Sequence, residues 1–339
     1  MTGPKKEYAA VDLFKMFCAI LVMFIHTKPF DSVFVIDAPL GIVTRFAVPF
    51  FFTTSGYFFY KKLTDSPQEN REIIKNYLWR LFRFYSIWFI IFRIENYVIS
   101  GSAKSILYYI KHFFFTTDGS PLWFVSALIW AIILVYILSS FMKIKSVFKI
   151  GVICLLIGYT FSTLLGLTRN SVIFGLVKPF TDFIGIQGGL FFAFPYVAMG
   201  AMLSSISIKK QYLKDSLLVL LFLAFVGVES LVAVSCLEAP FTFLWICAMP
   251  MTWFITRLMI SIELKNKKIY YYVRKTSTLF YVLHVIIYKI VEYSIENNGI
   301  VDRMHIMLTI LTFLFTTIIC VLMLYISRKK ALSWVKYLM

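Results

Sequence analysis

The residues with the clearest chemical potential lie in the first apolar stretch of the chain, Val11 to His26. Asp12 and Lys15 share this stretch with His26, and ionisable groups inside a membrane helix are costly, rare and usually functional. Lys15 and His26 are eleven residues apart, which is close to three helical turns and roughly 16 Å along the axis. Asp12 precedes Lys15 by one turn. The spacing therefore predicts one helix face that lines a polar passage rather than lipid.

His26 carries the most specific chemistry of the three. An imidazole titrates near neutral pH and can take the proton of a hydroxyl group as that hydroxyl attacks a thioester. The alternative is a buried histidine whose nitrogens are satisfied by neighbouring polar groups. Because His26 shares its predicted face with Asp12 and Lys15 inside a membrane span, we expect the three residues to form the catalytic group.

The elements that must position this face are membrane helices. The chain has 339 residues, 60% of them hydrophobic and 15% charged, and its mean hydropathy is +0.81, whereas soluble domains are about a quarter charged. Repeated apolar runs of about 20 residues predict an all-α, polytopic membrane protein. We expect about ten transmembrane helices, near residues 10–30, 40–60, 79–100, 121–141, 148–167, 185–205, 214–236, 240–261, 277–296 and 305–327.

Charge predicts the orientation of these helices. The net charge is +17, but the basic residues lie in short loops, which indicates lipid contact and membrane orientation rather than nucleic-acid binding. One alternating set of loops carries 23 lysines and arginines, and the other set carries 6. Because positive loops remain in the cytoplasm, both termini are predicted to be cytoplasmic. We expect residues 1–339 to form a single integral membrane domain in the plasma membrane. The five cysteines have no ligand spacing, so neither a metal site nor a disulfide framework is predicted.

The first span also resembles a known signature. A basic residue, ten intervening residues and a histidine are similar to the Arg-x10-His pattern of the membrane-bound acyltransferase 3 family. Blocks resembling those of the same family follow in order: RFAVPFFFTTSGYFF from Arg45, PLWFVSALI from Pro121, GGLFFAFPYVAMGAML from Gly188 and TSTLFYVLHVII from Thr276. They cover nearly the whole chain. The sequence departs from the pattern at Lys15, which keeps the charge of the family arginine but not its planar fork.

This resemblance implies an enzyme. An acyl group, expected to be acetyl, would pass from cytoplasmic acyl-coenzyme A to a hydroxyl or amine of an envelope acceptor such as a cell-wall glycan. His26 would act as general base, and no metal is required. Arg80 and Arg83, in the sequence WRLFR, are either ordinary interfacial anchors or, with Lys15, a grip for the phosphates of coenzyme A.

A narrower resemblance implies a different function. The Arg-x-x-Val-Pro-Phe-Phe-Phe pattern that begins at Arg45 is similar to the membrane portion of the membrane-bound serine racemases of vancomycin resistance. That portion is implicated in serine uptake. In this alternative the chain takes up serine or another small amino acid, with a cytoplasmic racemase as partner, and Arg45 meets the carboxylate of the amino acid while a glutamate meets its amine.

The remaining candidates are substrate-binding residues with structural alternatives: Arg45, Ser55, Trp123, His284 and Glu292. Arg45 is either an interfacial anchor or a cation for a carboxylate or an oxyanion. Ser55 and Gly56 permit close helix packing and do not form a nucleophile elbow. Trp123 belongs to the block that begins at Pro121.

Two further candidates lie in the ninth predicted span. His284 shares a helix face with Ser277 and either binds substrate or belongs to a polar stripe that joins this helix to the first. Lys289 and Glu292 are three residues apart, so they can neutralise each other. Glu292 is otherwise available to bind an amino group.

Overall fold

The structure is a computed structural model that describes residues 7–30, 40–102, 104–114, 121–168, 172, 174–175, 189–237, 245–265, 267–297 and 305–338. All regular secondary structure in this part of the chain is helical. The predicted all-α fold is therefore confirmed for the described residues. The start of the sixth predicted span, residues 185–188, lies outside them.

Each of the ten predicted spans overlaps a helix. The α-helices with defined bounds are α1 (Ala9–Thr27), α2 (Ala47–Tyr60), α3 (Pro67–Ser100), α4 (Ile106–Phe114), α5 (Trp123–Phe141), α6 (Ile144–Leu167), α7 (Phe194–Ser204), α8 (Tyr212–Leu237), α9 (Ala248–Ser261), α10 (Lys268–Asn297) and α11 (His305–Ile326). A π-helical turn, Gly189–Ala193, leads into α7, and a 3₁₀ segment, Lys330–Leu338, follows α11.

Six helices of the described part are long and apolar enough to cross a membrane: α1, α5, α6, α8, α10 and α11. The helices in the other predicted spans fall short by length or by charge. α2 and α9 have 14 residues each, and α7 has 11. α3 has 34 residues but carries many charged side chains. Six candidate spans are thus established, and the number ten and the cytoplasmic termini remain predictions.

The chain divides into two compact units. The first contains Met1–Ala47, Tyr77–Val125 and Glu263–Met339, and the second contains Val48–Asn76 and Ser126–Ile262. In the first unit, α10 packs along both α1 and α11. In the second unit, α6 packs on α7, and α8 packs on α9.

Apolar periodicity explains the burial of α1 in the first unit. Val11, Cys18 and Met23 are wholly buried, which defines one face of the helix. The helix ends where Lys28 takes a left-handed conformation, with φ of 42°, and Pro29 follows. The ionisable face described above is therefore held on a regular helix from end to end.

Two glycines let α2 and α7 of the second unit touch through their backbones. A Cβ on Gly200 would overlap the carbonyl oxygen of Thr53, and a Cβ on Gly56 would overlap that of Val197. Small residues allow helices to approach this closely, and no larger side chain fits here without moving a helix. The interpretation of the Ser55–Gly56 pair as a packing element is confirmed for Gly56.

Candidate functional site

Asp12 is neutralised by an arginine from the far end of the sequence. Arg274 of α10 donates from Nε to both carboxylate oxygens of Asp12, at 2.9 and 3.0 Å, and from a terminal nitrogen at 2.7 Å. The Asp12 side chain is 5% exposed and that of Arg274 is 49% exposed. The ion pair thus runs from the α1–α10 interface towards the surface of the unit, and its forked geometry sets how the helices meet.

Lys15 lies one turn beyond Asp12 and adds to the positive charge. It is within electrostatic range of Asp12, Arg274 and Arg80. Arg274 thus pairs with Asp12, Lys15 lies one turn away, and Arg80 is within electrostatic range of Lys15; we call these four residues the cationic cluster. The sequence predicted Asp12 and Lys15 in the catalytic group and Arg80 with Lys15 in a phosphate grip, but it did not single out Arg274. The signal for it was Asp12 itself, because a carboxylate inside a span needs a cationic partner.

His26 faces a second histidine. The ring centroids of His26 and His284 are 5.3 Å apart, with their planes inclined at 47°. His284 is wholly buried, and its Nδ1 lies 3.0 Å from the carbonyl oxygen of Phe280. Because a carbonyl oxygen only accepts, Nδ1 carries a proton, and neutral His284 has its lone pair on Nε2. Among the residues that the structure describes, this buried Nε2 has no hydrogen-bond partner.

These contacts define the direction of α1 and α10. Asp12 meets Arg274 and His26 meets His284, so residue numbers rise in the same direction along both helices. The cationic cluster and the histidine pair (His26 with His284) therefore lie at two levels of one interface, separated by roughly 16 Å along α1. This arrangement suits a ligand that is anionic at one end and reactive at the other.

Lys289 forms an ion pair beside the histidine pair. Its ammonium group is 3.1 Å from Glu95 of α3, and its charge acts on His26. The spacing allowed Lys289 and Glu292 to neutralise each other; in the structure Lys289 pairs with Glu95, and Glu292 accepts a hydrogen bond from Tyr288. Glu95 is 7% exposed in its side chain, and a buried carboxylate has the greater need of a cation.

The two arginines predicted to bind phosphate lie one turn apart on α3. The Arg80 guanidinium is 5.1 Å from the centroid of the Tyr77 ring. The Arg83 guanidinium is 3.9 Å from the centroid of the Tyr337 ring. Both cations are thus supported by an aromatic ring, and Arg80 also belongs to the cationic cluster.

Arg45 lies at the break between helical residues 40–44 and α2. It is half-buried, and the next residue, Phe46, stacks on Phe14 of α1 with ring centroids 5.6 Å apart. Phe14 immediately precedes Lys15, so this segment meets α1 near the cationic cluster. The sequence predicted that Arg45 opens the second span from the outer side of the membrane, and it placed Arg45 beside no particular residue of α1.

Trp123 is the first residue of α5 and belongs to the first unit. The next residue, Phe124, packs on Tyr281 of α10 with ring centroids 5.5 Å apart, which is three residues before His284. Ser55 is half-buried on α2 of the second unit. Trp123 is thus next to a contact with the helix that carries His284, and its role in substrate binding stays a prediction.

A metal site needs several donor side chains close together. No group of three or more His, Cys, Asp or Glu side chains in this part of the chain could hold a metal ion. The histidine pair supplies two nitrogen ligands, fewer than a zinc site uses. What the pair offers is proton transfer, because an imidazole both donates and accepts near neutral pH.

Comparison with known proteins identifies the family of this chain. The pattern named Acyl_transf_3, described as an acyltransferase domain, matches residues 8–326. The chain belongs to the acyltransferase 3 family. The resemblance carried by the first span and the later blocks is thereby confirmed, and so is the location, because acyltransferase 3 proteins are multi-pass membrane proteins.

Two relatives of this acyltransferase 3 chain come from Enterococcus faecalis, and each is named amino-acid racemase. One is 27% identical over 232 residues, which cover 66% of this chain and 32% of the racemase. The other is 26% identical over 211 residues, which cover 59% of this chain and 28% of the racemase. The chain thus spans about a third of the length of these relatives. No solved structure matches it.

Proposed function

We propose that the chain transfers an acyl group from cytoplasmic acyl-coenzyme A to a hydroxyl or amine, with His26 as general base. Membership of the acyltransferase 3 family supports group transfer by a membrane protein. The observation that carries the proposal is the contact between His26 and His284. Two imidazoles between membrane helices are costly to bury, and apolar side chains would pack there at lower cost.

The chemistry follows from the histidine pair. His26 takes the proton of the acceptor group while the acceptor oxygen or nitrogen attacks the carbonyl carbon of the thioester. The carbon–sulfur bond then breaks, and the sulfur leaves with the proton that the imidazolium returns. His284 can accept an N–H from His26 through its Nε2 lone pair. That contact would keep the other nitrogen of His26 unprotonated and ready to act as base.

The cationic cluster supports acyl-coenzyme A as the donor of the acyl group. Lys15, Arg80 and Arg274 supply the positive charge that the phosphates of coenzyme A need, and Asp12 holds Arg274 in position. The separation of roughly 16 Å between Lys15 and His26 suits a donor with phosphates at one end and a thioester at the other. The acyl group is proposed to be acetyl, and the acceptor an envelope glycan or a small molecule.

The test is label transfer from radioactive acetyl-coenzyme A to a bacterial envelope fraction, with the full chain in lipid nanodiscs. We expect transfer by the unmodified chain and loss of transfer in His26→Ala and His26→Gln. His112→Ala is the matched control, because the His112 ring stacks on Tyr108 of its own helix. Transfer by His26→Ala at the unmodified rate would contradict the assignment of the base.

Uptake of a small amino acid is a second candidate, and the relatives favour it because both are named amino-acid racemase. In this function Arg45 binds the carboxylate of serine, a glutamate binds its amine, and a cytoplasmic racemase is the partner. Glu292 is too far from Arg45 to be that glutamate, because it lies about two turns beyond His284 on α10, whereas Arg45 lies near the cationic cluster. Radioactive serine uptake into vesicles tests it. Uptake that is lost in Arg45→Ala, together with no acetyl transfer by the unmodified chain, would replace the first proposal.

A further inference from the structure

The 3₁₀ segment after α11 folds back onto α3. Trp88 donates from its indole nitrogen to the carbonyl oxygen of Leu338 at 3.1 Å, and this bond is buried. Val335 and Leu338 are buried, whereas Trp334 is 56% exposed. One hydrogen bond and two apolar side chains thus hold the segment in place within the first unit. The residues between Val335 and Leu338, which include Tyr337, are held with them.

Tyr337 of this segment covers one face of Arg83. The guanidinium lies 3.9 Å from the centroid of the Tyr337 ring, a stacked position that leaves the N–H edge available for hydrogen bonds. In the described part of the chain, Arg83 Nε is buried and has no hydrogen-bond partner, and the same is true of the Ser86 hydroxyl. Ser86 is three residues after Arg83, so both donors lie on one face of α3.

A simple interfacial anchor does not account for these features. An arginine that snorkels keeps its guanidinium in water, where every N–H finds a solvent partner. Here the Tyr337 ring covers one face of the Arg83 guanidinium, and Arg83 Nε is shielded from water. Buried donors without acceptors are unfavourable, so the arrangement favours a ligand that brings acceptor oxygens.

We infer that Tyr337 is a positioning residue that holds Arg83 so that Arg83 and Ser86 together bind a phosphate group. A phosphate has several strong acceptor oxygens and a charge that an arginine edge matches bidentately. Exposed Lys336 in the same segment adds positive charge. Two sources share this chemistry: the nucleotide part of the acyl donor, which rests on the proposed function, and the headgroup of an anionic lipid.

The first arm of the test measures binding of adenosine 3′,5′-bisphosphate, the nucleotide part of coenzyme A, by calorimetry. The full chain is held in nanodiscs of phosphatidylcholine. Tyr337→Ala is expected to raise Kd about tenfold, which corresponds to about 1.4 kcal/mol. Tyr337→Phe keeps the ring and is expected to bind within about twofold of the unmodified chain. Trp334→Ala, an aromatic truncation in the same segment at an exposed position, is the matched control and should also bind normally.

The second arm replaces part of the phosphatidylcholine by phosphatidylglycerol and counts bound lipid by native mass spectrometry. Nucleotide binding that phosphatidylglycerol does not displace identifies the donor as the source of the phosphate. Retention of phosphatidylglycerol that is lost in Tyr337→Ala identifies the lipid headgroup. Both results support a phosphate site positioned by Tyr337.

The inference is overturned if Tyr337→Ala binds both probes as the unmodified chain does, or if Trp334→Ala loses as much binding. It is also overturned if Tyr337→Phe fails to restore binding while its melting temperature matches that of the unmodified chain. His26→Ala distinguishes failure of the phosphate site from failure of the proposed acyl transfer. It should bind the nucleotide normally, since it removes the base and leaves Arg83, Ser86 and Tyr337 in place.

Discussion

In the first unit, α1 and α10 meet through ionisable side chains, whereas in the second unit α2 and α7 meet through their backbones. Asp12 with Arg274 and His26 with His284 make the former interface, and Gly56 and Gly200 make the latter. Glycine contacts join membrane helices without burying charge. Ionisable contacts are costly there and are retained where they serve a function. The difference supports the proposal that the chemistry takes place in the first unit.

The second unit is not free of charge, and two of its ionisable contacts stabilise helix ends. Arg257 of α9 is 3.5 Å from Asp215, in the first turn of α8. Glu229 accepts hydrogen bonds from the backbone amides of Ile246 and Cys247, at 2.8 and 3.2 Å, just before α9. A carboxylate at a helix N-terminus satisfies amides that have no partner within the helix. These contacts are explained by stability alone.

The largest predicted effect lies in the first unit. His26→Ala should lower the rate of acetyl transfer by about 100- to 10,000-fold, the range expected when a general base is removed, with little change in melting temperature. Ser55→Ala, a truncation in the second unit, should retain the rate within about twofold. Label transfer under single-turnover conditions measures both. An equal loss of transfer rate in the two variants would contradict the assignment of the chemistry to the first unit.

The next effect lies in the second unit and concerns folding. Gly200→Ala places a methyl group against the Thr53 carbonyl, and overpacking against backbone should cost about 3 kcal/mol or more. Gly41→Ala is the control, since a Cβ there meets nothing within 4 Å. Size-exclusion profiles and melting curves of the detergent-solubilised chains compare them. A Gly200→Ala chain as stable as Gly41→Ala would show that α2 and α7 do not need this contact.

The two members of the Asp12–Arg274 ion pair should differ in how much their replacement lowers the free energy of unfolding. Arg274→Gln leaves the buried Asp12 carboxylate without its partner and should cost about 2 kcal/mol, less than a fully buried pair because Arg274 reaches the surface. Asp12→Asn should cost about 1 kcal/mol, because the half-exposed Arg274 can turn to solvent. Denaturation of both single variants and the double variant gives the coupling energy. A larger loss in Asp12→Asn would reverse the assignment of the buried partner.

The smallest effect tests the structural role of charge in the second unit. Glu229→Gln removes a negative charge from the start of α9 while keeping an acceptor oxygen, and it should cost about 0.5 to 1 kcal/mol. Acetyl transfer should not change. Thermal melting beside the transfer assay resolves the two properties, and a loss of transfer without a loss of stability would place chemistry in the second unit after all.

The ionisable face of α1 could be predicted from the sequence of that helix alone. Helical periodicity was sufficient to place Asp12, Lys15 and His26 on one face, and that face does meet another helix. The partners were not predictable in the same way. Arg274 and His284 lie more than 250 residues away in the chain, and nothing local to α1 specifies which later helix will pack on it. Lys289 is the opposite case. Glu292 lies three residues away on the same helix, yet Lys289 pairs with the buried carboxylate of Glu95 on α3.

Composition and the period of apolar residues determined that this protein is an all-helical membrane protein, and its ordered blocks determined its family. Those properties depend on transfer of side chains from water and on local backbone geometry, which each segment carries by itself. The tertiary structure alone decided that His26 meets His284, that Arg274 neutralises Asp12 and that Tyr337 covers Arg83. Such contacts depend on which helices share an interface and in what register, and this is a property of the packed bundle rather than of any one segment.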